Sequence, residues 1–386
     1  MIYYGRQDIN ETDIRAVEEV LRSDFLTQGP AIERFEGKVA EYCGARYAVA
    51  VTNATSALHI ACLAADIGKG DLVWTTPITF TASANCARYC GADVDFVDID
   101  ADTYNMSVDA LEEKLQTAKK HGRLPKLVIP VHLAGQSCDM KRMKALSEAY
   151  EFRLLEDASH AIGADYADGK VGNCAFSDMV VFSFHPVKII TTGEGGMVLT
   201  NDKMLYEKLN LYRSHGITRD AAKMSHESDG PWYYQQITLG YNYRMTDIQA
   251  ALGASQMERI DAFVARRRSL VARYDTALQD LPVKTPYVME DSDPSWHLYI
   301  VRINFANVSK TKQEIFAEMA EKGIALNLHY IPVHTQPYYE ALGHRPEECP
   351  NAMDYYREAL TLPLYPGLTD DEQDRVIAAF REVLTA

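Results

Sequence analysis

The stretch that decides the fold is DMVVFSFHPVKIITTGEGGM, residues 178–197. Its apolar run Val180-Val181-Phe182 predicts a strand buried on both faces of a parallel sheet. After a turn at Pro186, Lys188 follows just beyond the carboxyl end of that strand, where open α/β sheets bind their ligands. Lys188 is therefore a candidate covalent amine. The common alternative for an isolated lysine is a solvated loop position.

Apolar runs of strand length alternate with helix-length stretches on both sides of Lys188. The predicted strands are 47–52, 72–75, 94–97, 127–131, 153–156, 179–183 and 197–200. The predicted helices between them are 56–65, 81–89, 107–120 and 140–150. This alternation is typical of βαβ units, so we expect an α/β fold with a mostly parallel sheet of roughly seven strands.

The sequence as a whole predicts a division of the chain into three parts. Residues 1–245 are expected to form the large domain, and residues 1–30 its N-terminal arm. A long helix over 246–281 is expected to link it to a smaller α+β domain, residues 282–386. Within that domain we expect strands at 298–303 and 325–329, a helix at 310–322 and a terminal helix from residue 369.

Composition narrows the class of protein. The chain has 386 residues, 47% of them hydrophobic, which is enough for a large core and two or three domains. The net charge of −15 argues against binding nucleic acid or a polybasic contact with membranes. The N-terminus resembles no signal peptide, and no apolar run reaches transmembrane length, so we expect a cytoplasmic protein.

The cysteines predict neither disulfides nor a metal site. Seven cysteines, an odd number, form no C-x-x-C pair, and reduced thiols are the default expectation. Cys86 and Cys90 have no histidine at ligand spacing, so we interpret them as helix-packing residues.

Four further side chains are predicted to gather at the sheet edge near Lys188. Thr55 and Ser56 open the helix after the first strand, where free amides bind anions, although an ordinary N-cap has a similar pattern. Asp157 ends a strand and either caps a helix or pairs with a cation. Phe80 follows another strand and is either core or a stacking face. An anion site, an aromatic face, a carboxylate and an amine together fit pyridoxal phosphate.

Five motifs carry a resemblance over nearly the whole chain. They are TNATSAL (52–58), EDASHA (156–161), SFHPVK (183–188), GEGG (193–196) and GYNYRMTDI (240–248). In this order they resemble the DegT/DnrJ/EryC1/StrS family of sugar aminotransferases, which have the fold type I of pyridoxal-phosphate enzymes. LTQG (26–29), SFHPVK and NLHY (327–330) resemble, within it, the aminotransferases of pseudaminic acid biosynthesis. Family members that perform dehydration carry histidine where this chain has Lys188.

The resemblance implies roles for individual residues. Lys188 would bind the cofactor covalently and act as the catalytic base, Asp157 would pair with the pyridine nitrogen, and His160 would lie near the ring hydroxyl. The other implied cofactor contacts are Phe80 on the ring and Thr55, Ser56, Ser183 and, from the second subunit of a homodimer, Asn242 at the phosphate. The implied substrate contacts are Tyr4, Leu26, Thr27, Asn242, His329 and Tyr330.

The implied reaction moves an amino group from L-glutamate to C4 of a UDP-4-keto-6-deoxy-N-acetylhexosamine. Several alternatives remain at this point. The substrate could be another nucleotide-linked keto sugar, such as a perosamine, bacillosamine or 4-amino-arabinose precursor, aminated at C4 or C3. The chain could also be a lyase or dehydratase on the same fold, or a regulator that senses a ligand. The presence of both Lys188 and Asp157 disfavours the regulator.

Overall fold

The computed structural model describes residues 1–385, which contain thirteen α-helices and fifteen strands. The helices are α1 Glu11–Leu21, α2 Pro30–Cys43, α3 Ala54–Ala64, α4 Ala82–Tyr89, α5 Val108–Lys120, α6 Met140–Tyr150, α7 Lys203–Arg213, α8 Asp247–Met257, α9 Ile260–Leu278, α10 Lys312–Glu321, α11 Pro337–Ala341, α12 Pro350–Glu358 and α13 Asp370–Thr385. The strands are β1 Tyr47–Val51, β2 Leu72–Thr75, β3 Asp93–Phe96, β4 Leu127–Ile129, β5 Arg153–Asp157, β6 Asp165–Tyr166, β7 Gly169–Lys170, β8 Met179–Ser183, β9 Gly196–Thr200, β10 Ile217–Thr218, β11 Gln235–Gln236, β12 Val283–Lys284, β13 Ser292–Asp293, β14 Tyr299–Ile303 and β15 Ala359–Leu362.

The main sheet has seven strands in the order β1-β9-β8-β5-β4-β2-β3. Strand β9 runs antiparallel to both of its neighbours, β1 and β8, and the remaining pairs are parallel. Every residue of β8 is buried, because helices cover both faces of the sheet. The predicted mostly parallel sheet of roughly seven strands is therefore confirmed, and the α/β fold with it.

A second, three-stranded sheet in the order β12-β14-β15 lies in the C-terminal part of the chain. Helix α13 packs against both α9 and α10, and a separate apolar core forms around Tyr274, Met319 and Phe380. This packing buries the apolar stripe of each helix, which accounts for an α+β unit here.

The predicted helix over 246–281 is wrong as one continuous element, because the chain forms α8 and α9 with a break at Arg259. Arg259 is an ion-pair partner of Asp8 and Asp13, with N–O distances of 2.6 Å to each. No glycine or proline lies at the break, so the local sequence gives no sign of it. The contact with the N-terminal arm accounts for the break instead.

The predicted strand at 325–329 is also wrong. The chain there makes only single bridges, from Ile324 to Ile2 and from Asn327 to Thr361. The side-chain oxygen of Asn327 accepts a hydrogen bond from the backbone N–H of Leu328 at 2.8 Å. This N–H is therefore not available to pair with a neighbouring strand.

Among residues 1–385, none of the helices combines the length and the apolar character that crossing a lipid bilayer requires.

Candidate active site

The ends of three adjacent strands build one edge of the site. In the register of β1, β9 and β8, Val51 pairs with Gly196 and Gly196 pairs with Ser183. A Cβ atom on Gly196 would lie 2.5 Å from the carbonyl carbon of Asn53 and 2.6 Å from the nitrogen of Ala54. Glycine is therefore needed at position 196 for the start of α3 to reach the sheet beside Ser183.

The N-terminus of α3 has the geometry of an anion-binding site. Asn53 is the N-cap, and its side-chain oxygen accepts the Ser56 N–H at 2.8 Å. The Ser56 hydroxyl lies 3.1 Å from that of Thr52. Within the described chain the N–H groups of Ala54 and Thr55 have no acceptor. The N-cap is therefore Asn53, and two amides at the positive end of the helix are left to bind an anion.

Asp157 ends β5 and is only 4% exposed. Its carboxylate accepts the Ser83 hydroxyl at 2.6 Å and the Ser159 N–H at 3.1 Å. Throughout residues 1–385, no lysine, arginine or histidine lies within ion-pair distance of this carboxylate. A buried carboxylate held by neutral donors is well suited to a cationic ligand, and a protonated ring nitrogen is one.

Lys188 follows β8 and is partly buried, and its backbone N–H donates to the His185 carbonyl at 2.9 Å. Burial lowers the pKa of the Lys188 amine to about 8, against the opposing charge of Asp157. Near neutral pH the unprotonated fraction of the amine is therefore much larger than that of an ordinary lysine, which favours its action as a nucleophile. The solvated loop position is not what the structure shows.

His160 and Tyr330 form a pair beside Lys188. Nδ1 of His160 accepts the Ala134 N–H at 3.2 Å, so the ring proton is on Nε2, which donates to the Tyr330 hydroxyl at 3.0 Å. Burial and the charge of Lys188 hold the pKa of His160 well below its usual value, which keeps the ring neutral. The Phe80 ring lies 6.4 Å from that of Tyr330 and is 61% exposed, so a face remains free for stacking.

Tyr4 and His329 continue this group of rings, because the His329 ring lies 5.0 Å from that of Tyr330. Their rings lie 5.0 Å apart, and His329 Nδ1 lies 2.9 Å from the Thr361 hydroxyl. Burial lowers the pKa of His329 to about 3, and burial raises the pKa of Tyr330. The surface next to Lys188 therefore offers hydrogen bonds from uncharged groups.

Three of the predicted substrate-binding residues do not contact the rings beside Lys188. Leu26, Thr27 and Asn242 are exposed, and no hydrogen bond or ring contact joins them to those rings in the described part of the chain. The Leu26 carbonyl accepts the Asp247 N–H at 2.9 Å.

Sequence reasoning missed two site residues. Ser83 holds Asp157, and the His297 ring lies 4.4 Å from that of His160. The first-turn position of Ser83, three residues after Phe80, was a usable signal. His297 comes from the C-terminal part of the chain, where no local pattern shows the contact.

The donor set fits pyridoxal phosphate. The free amides of α3 and the hydroxyl of Ser183 suit the phosphate, Asp157 suits the ring nitrogen, Phe80 offers a stacking face, and Lys188 is the amine.

Comparison with known proteins agrees with this geometry. The sequence profile of the DegT/DnrJ/EryC1/StrS aminotransferase family matches residues 7–381. The spore coat polysaccharide biosynthesis protein SpsC of Bacillus subtilis is 39% identical over 99% of this chain and 96% of its own. The UDP-4-amino-4,6-dideoxy-N-acetyl-beta-L-altrosamine transaminase of Campylobacter jejuni is 36% identical over 95% of this chain and 93% of its own.

Two solved structures resemble the whole chain. Helicobacter pylori PseC, an aminotransferase involved in pseudaminic acid biosynthesis, has a TM-score of 0.90 at 30% identity and covers 99% of both chains. The Streptococcus pneumoniae sugar aminotransferase Spr1654 in its PMP form has a TM-score of 0.89 at 32% identity over 98% of both. The chain therefore belongs to the DegT/DnrJ/EryC1/StrS aminotransferase family and is a pyridoxal-phosphate-dependent sugar aminotransferase.

Proposed function

We propose that this enzyme transfers the amino group of L-glutamate to C4 of a UDP-linked 4-keto-6-deoxy-N-acetylhexosamine, a reaction of pseudaminic acid biosynthesis. The observation that carries the proposal is the uncharged polar surface beside Lys188, formed by Tyr4, His329 and Tyr330. The names of the Campylobacter relative and of the Helicobacter structure support the choice of sugar.

Lys188 and Asp157 are assigned the chemical steps. When bound, pyridoxal phosphate supplies an electron sink that stabilises negative charge at the carbon losing its proton. Lys188 holds the cofactor. Its amine, once released, takes a proton from the Cα atom of the amino donor and delivers that proton to the C4′ carbon of the cofactor. Its lowered pKa suits both halves of that task. Asp157 keeps the proton on the ring nitrogen, which maintains the sink.

In this proposal His160 lies near the ring hydroxyl of the cofactor. Its Nδ1 is occupied by the Ala134 N–H, so His160 stays neutral and presents a fixed tautomer. Tyr330 accepts from His160 Nε2 and keeps its own phenolic proton, which is then free to donate to a substrate oxygen.

The sugar pocket is proposed to recognise the N-acetyl group through neutral hydrogen-bonding groups. Asn327 lies within hydrogen-bonding reach of Tyr4, and its side-chain nitrogen lies 3.4 Å from His329 Nε2. A pocket built around such groups disfavours a sugar without a partner for them, because buried polar atoms would be left unpaired.

The diphosphate needs local cations, because the net charge of −15 repels it on average. Arg244 forms no ion pair with any carboxylate of the described residues, and its Nη1 lies 3.4 Å from the Ser214 hydroxyl. Arg244 is therefore our candidate for the diphosphate, where a guanidinium binds two oxygens at once.

A homodimer with shared active sites completes the proposal. Asn242 is exposed and its side chain makes no hydrogen bond within the described chain, which supports a role at the neighbour's phosphate. Leu26 and Thr27 are assigned to the sugar-nucleotide pocket in the same assembly. A cytoplasmic location also belongs to the proposal, since all seven cysteines are free thiols.

The test is a comparison of keto sugars with L-glutamate as donor. UDP-4-keto-6-deoxy-N-acetylhexosamines of both ring series and dTDP-4-keto-6-deoxyglucose are each supplied to the holoenzyme, and the aminated products are quantified. We expect the UDP-linked N-acetyl sugars to turn over faster. Faster turnover of the dTDP sugar would contradict the substrate assignment and leave the aminotransferase chemistry intact.

A second candidate is amination of another nucleotide-linked keto sugar, at C4 or C3. It is favoured by the relative named for spore coat polysaccharide biosynthesis, which is 39% identical. The identity of the aminated sugar and the position of its new amino group, both determined by NMR, separate the two candidates.

A further inference from the structure

Arg267 on α9 is a fully buried cation without a carboxylate partner. Its side chain is 0% exposed, and in the described chain no acidic group lies within ion-pair distance of it. Its neighbour Arg266, in contrast, pairs with Asp370 at 2.8 Å. Burial lowers the pKa of the Arg267 guanidinium to about 9, so the group stays charged at neutral pH. A buried charge without a counterion is unfavourable for folding, which points to a role other than packing.

One nitrogen of Arg267 holds residues 295–298, here called the His297 segment. Nη1 donates to the carbonyls of Trp296 and His297, each at 3.1 Å, and to that of Leu364 at 3.0 Å. The other two nitrogens, Nε and Nη2, have no acceptor among the described residues. Trp296 has a φ of +55°, which residues other than glycine rarely adopt, so the backbone there needs such contacts to hold it.

The His297 segment packs directly on His160. The Ser295 N–H donates to the Gly135 carbonyl at 3.2 Å, and the Ser295 hydroxyl donates to the His160 carbonyl at 3.2 Å. The His297 ring lies 4.4 Å from the His160 ring. A Cβ atom on Gly135 would lie 2.8 Å from Ser295 Oγ and 3.0 Å from the His160 carbonyl oxygen. The three parts of the chain therefore meet without spare room, and a shift of one is transmitted to the others.

Ala134 connects the His297 segment to the proton of His160. The Ala134 N–H donates to Nδ1 of His160 at 3.2 Å, so the ring proton is on Nε2, which donates to the Tyr330 hydroxyl at 3.0 Å. The Ala134 carbonyl accepts the Leu298 N–H at 3.4 Å. Movement of the His297 segment would therefore displace Ala134 and release the constraint on the His160 tautomer.

We propose that Arg267 is a positioning residue for His160 and acts through the His297 segment. Arg267 holds the segment, the segment holds Ala134 against His160, and the imidazole keeps its proton on Nε2. In this tautomer the phenolic proton of Tyr330 is free to donate to a substrate oxygen. In the other tautomer Nε2 would accept a hydrogen bond from Tyr330 instead, and that proton would be occupied. The consequence for the substrate rests on the proposed function, whereas the effect on the tautomer does not.

The test is nitrogen NMR of the holoenzyme with labelled histidines, in which His160→Gln assigns the His160 signals. The wild type should show an unprotonated Nδ1 and a protonated Nε2 on His160. Arg267→Met removes the guanidinium but keeps an unbranched side chain, and it should give a mixture of both tautomers. Arg266→Met is the matched control, because Arg266 lies on the same helix and donates to the Leu368 carbonyl, outside the His297 segment. It should keep the wild-type signals.

Steady-state kinetics measure the consequence for the reaction. Arg267→Met should lower kcat by up to about 100-fold, as a small displacement of a positioned group can. The same change should have little further effect in a His160→Ala background, because both substitutions act on one contact. Losses that simply multiply would mark Arg267 as a structural residue and overturn its link to His160.

A folded Arg267→Met enzyme in which His160 keeps the wild-type tautomer would overturn the proposal, as would the same mixture of tautomers in Arg266→Met. If Arg267→Met does not fold, Arg267→Gln and Ser295→Ala replace it with the same expectation, since each removes only part of the contacts that hold the His297 segment. Because the NMR measurement needs no sugar, failure of the wild type to aminate the UDP sugars contradicts the proposed function alone.

Discussion

The chemistry of Lys188 depends on burial. Of the two influences on its amine, burial lowers the pKa and the charge of Asp157 raises it, and the result is about 8. A lysine in solution would be almost wholly protonated at neutral pH. Burial therefore raises the neutral fraction of this amine, and that property can be measured before the cofactor is bound.

The rate of pyridoxal phosphate capture by the cofactor-free protein should follow the neutral fraction of Lys188. Because its pKa is lowered, we expect the rate to rise about tenfold per pH unit below the pKa and to level off above pH 8. Asp157→Asn should move the inflection to lower pH, since it removes the carboxylate that raises the pKa. Stopped-flow absorbance measures both. An inflection near the ordinary lysine value of 10.5 would contradict this account.

At the scale of elements, the site depends on the close approach of α3 to β9. Gly196 has the backbone of Asn53 and Ala54 where a Cβ would be, at 2.5 to 2.6 Å. Backbone atoms cannot rotate away as a flexible side chain can. Any substitution at position 196 therefore has to push the start of α3, with its free amides, off the sheet.

Gly196→Ala should lower the free energy of unfolding by about 1–3 kcal/mol, as overpacking does, and weaken pyridoxal phosphate binding as well. Gly37→Ala is the matched control, because Gly37 lies inside α2 with no atom within 4 Å of the added methyl group. It should stabilise the protein by about 0.4–1 kcal/mol and leave the affinity unchanged. Denaturant unfolding and cofactor titration measure these effects. Equal affinities in both variants would argue against the α3 site.

The sequence predicted elements well where burial is continuous and poorly where a distant contact decides. The apolar run of β8 and the helix-length stretches around it revealed the parallel sheet, and the edge position of Asp157 and Lys188 followed from it. The break at Arg259 follows from ion pairs to the N-terminal arm, which no local pattern records. The contact of Tyr330 with His160 spans 170 residues and is likewise invisible locally.

At the scale of the whole molecule, the proposed homodimer would build each active site from two subunits. Asn242 is exposed in one subunit, whereas Lys188 and Asp157 come from the main sheet of the same chain. A two-fold axis would place each Asn242 at the neighbour's phosphate. The proposed role of Asn242 therefore depends on the dimer, and it can be tested by mixing subunits that carry different substitutions.

Mixing inactive Lys188→Ala subunits with inactive Asn242→Ala subunits should restore activity. Half of the randomly formed dimers are mixed and each has one intact site, so we expect about one quarter of wild-type activity. Sugar amination after subunit exchange is the measurement. A mixture of Lys188→Ala with Asp157→Asn should stay inactive, because both changes affect residues supplied by the same subunit. Failure of the first mixture, with mixed dimers present, would contradict a shared site.

The most direct test of the central claim is borohydride reduction of the holoenzyme followed by peptide mapping, because reduction fixes the cofactor to the lysine that holds it. The account predicts a single labelled peptide, with the reduced cofactor on Lys188, and no label in Lys188→Ala. A label on any other lysine would contradict the site described here.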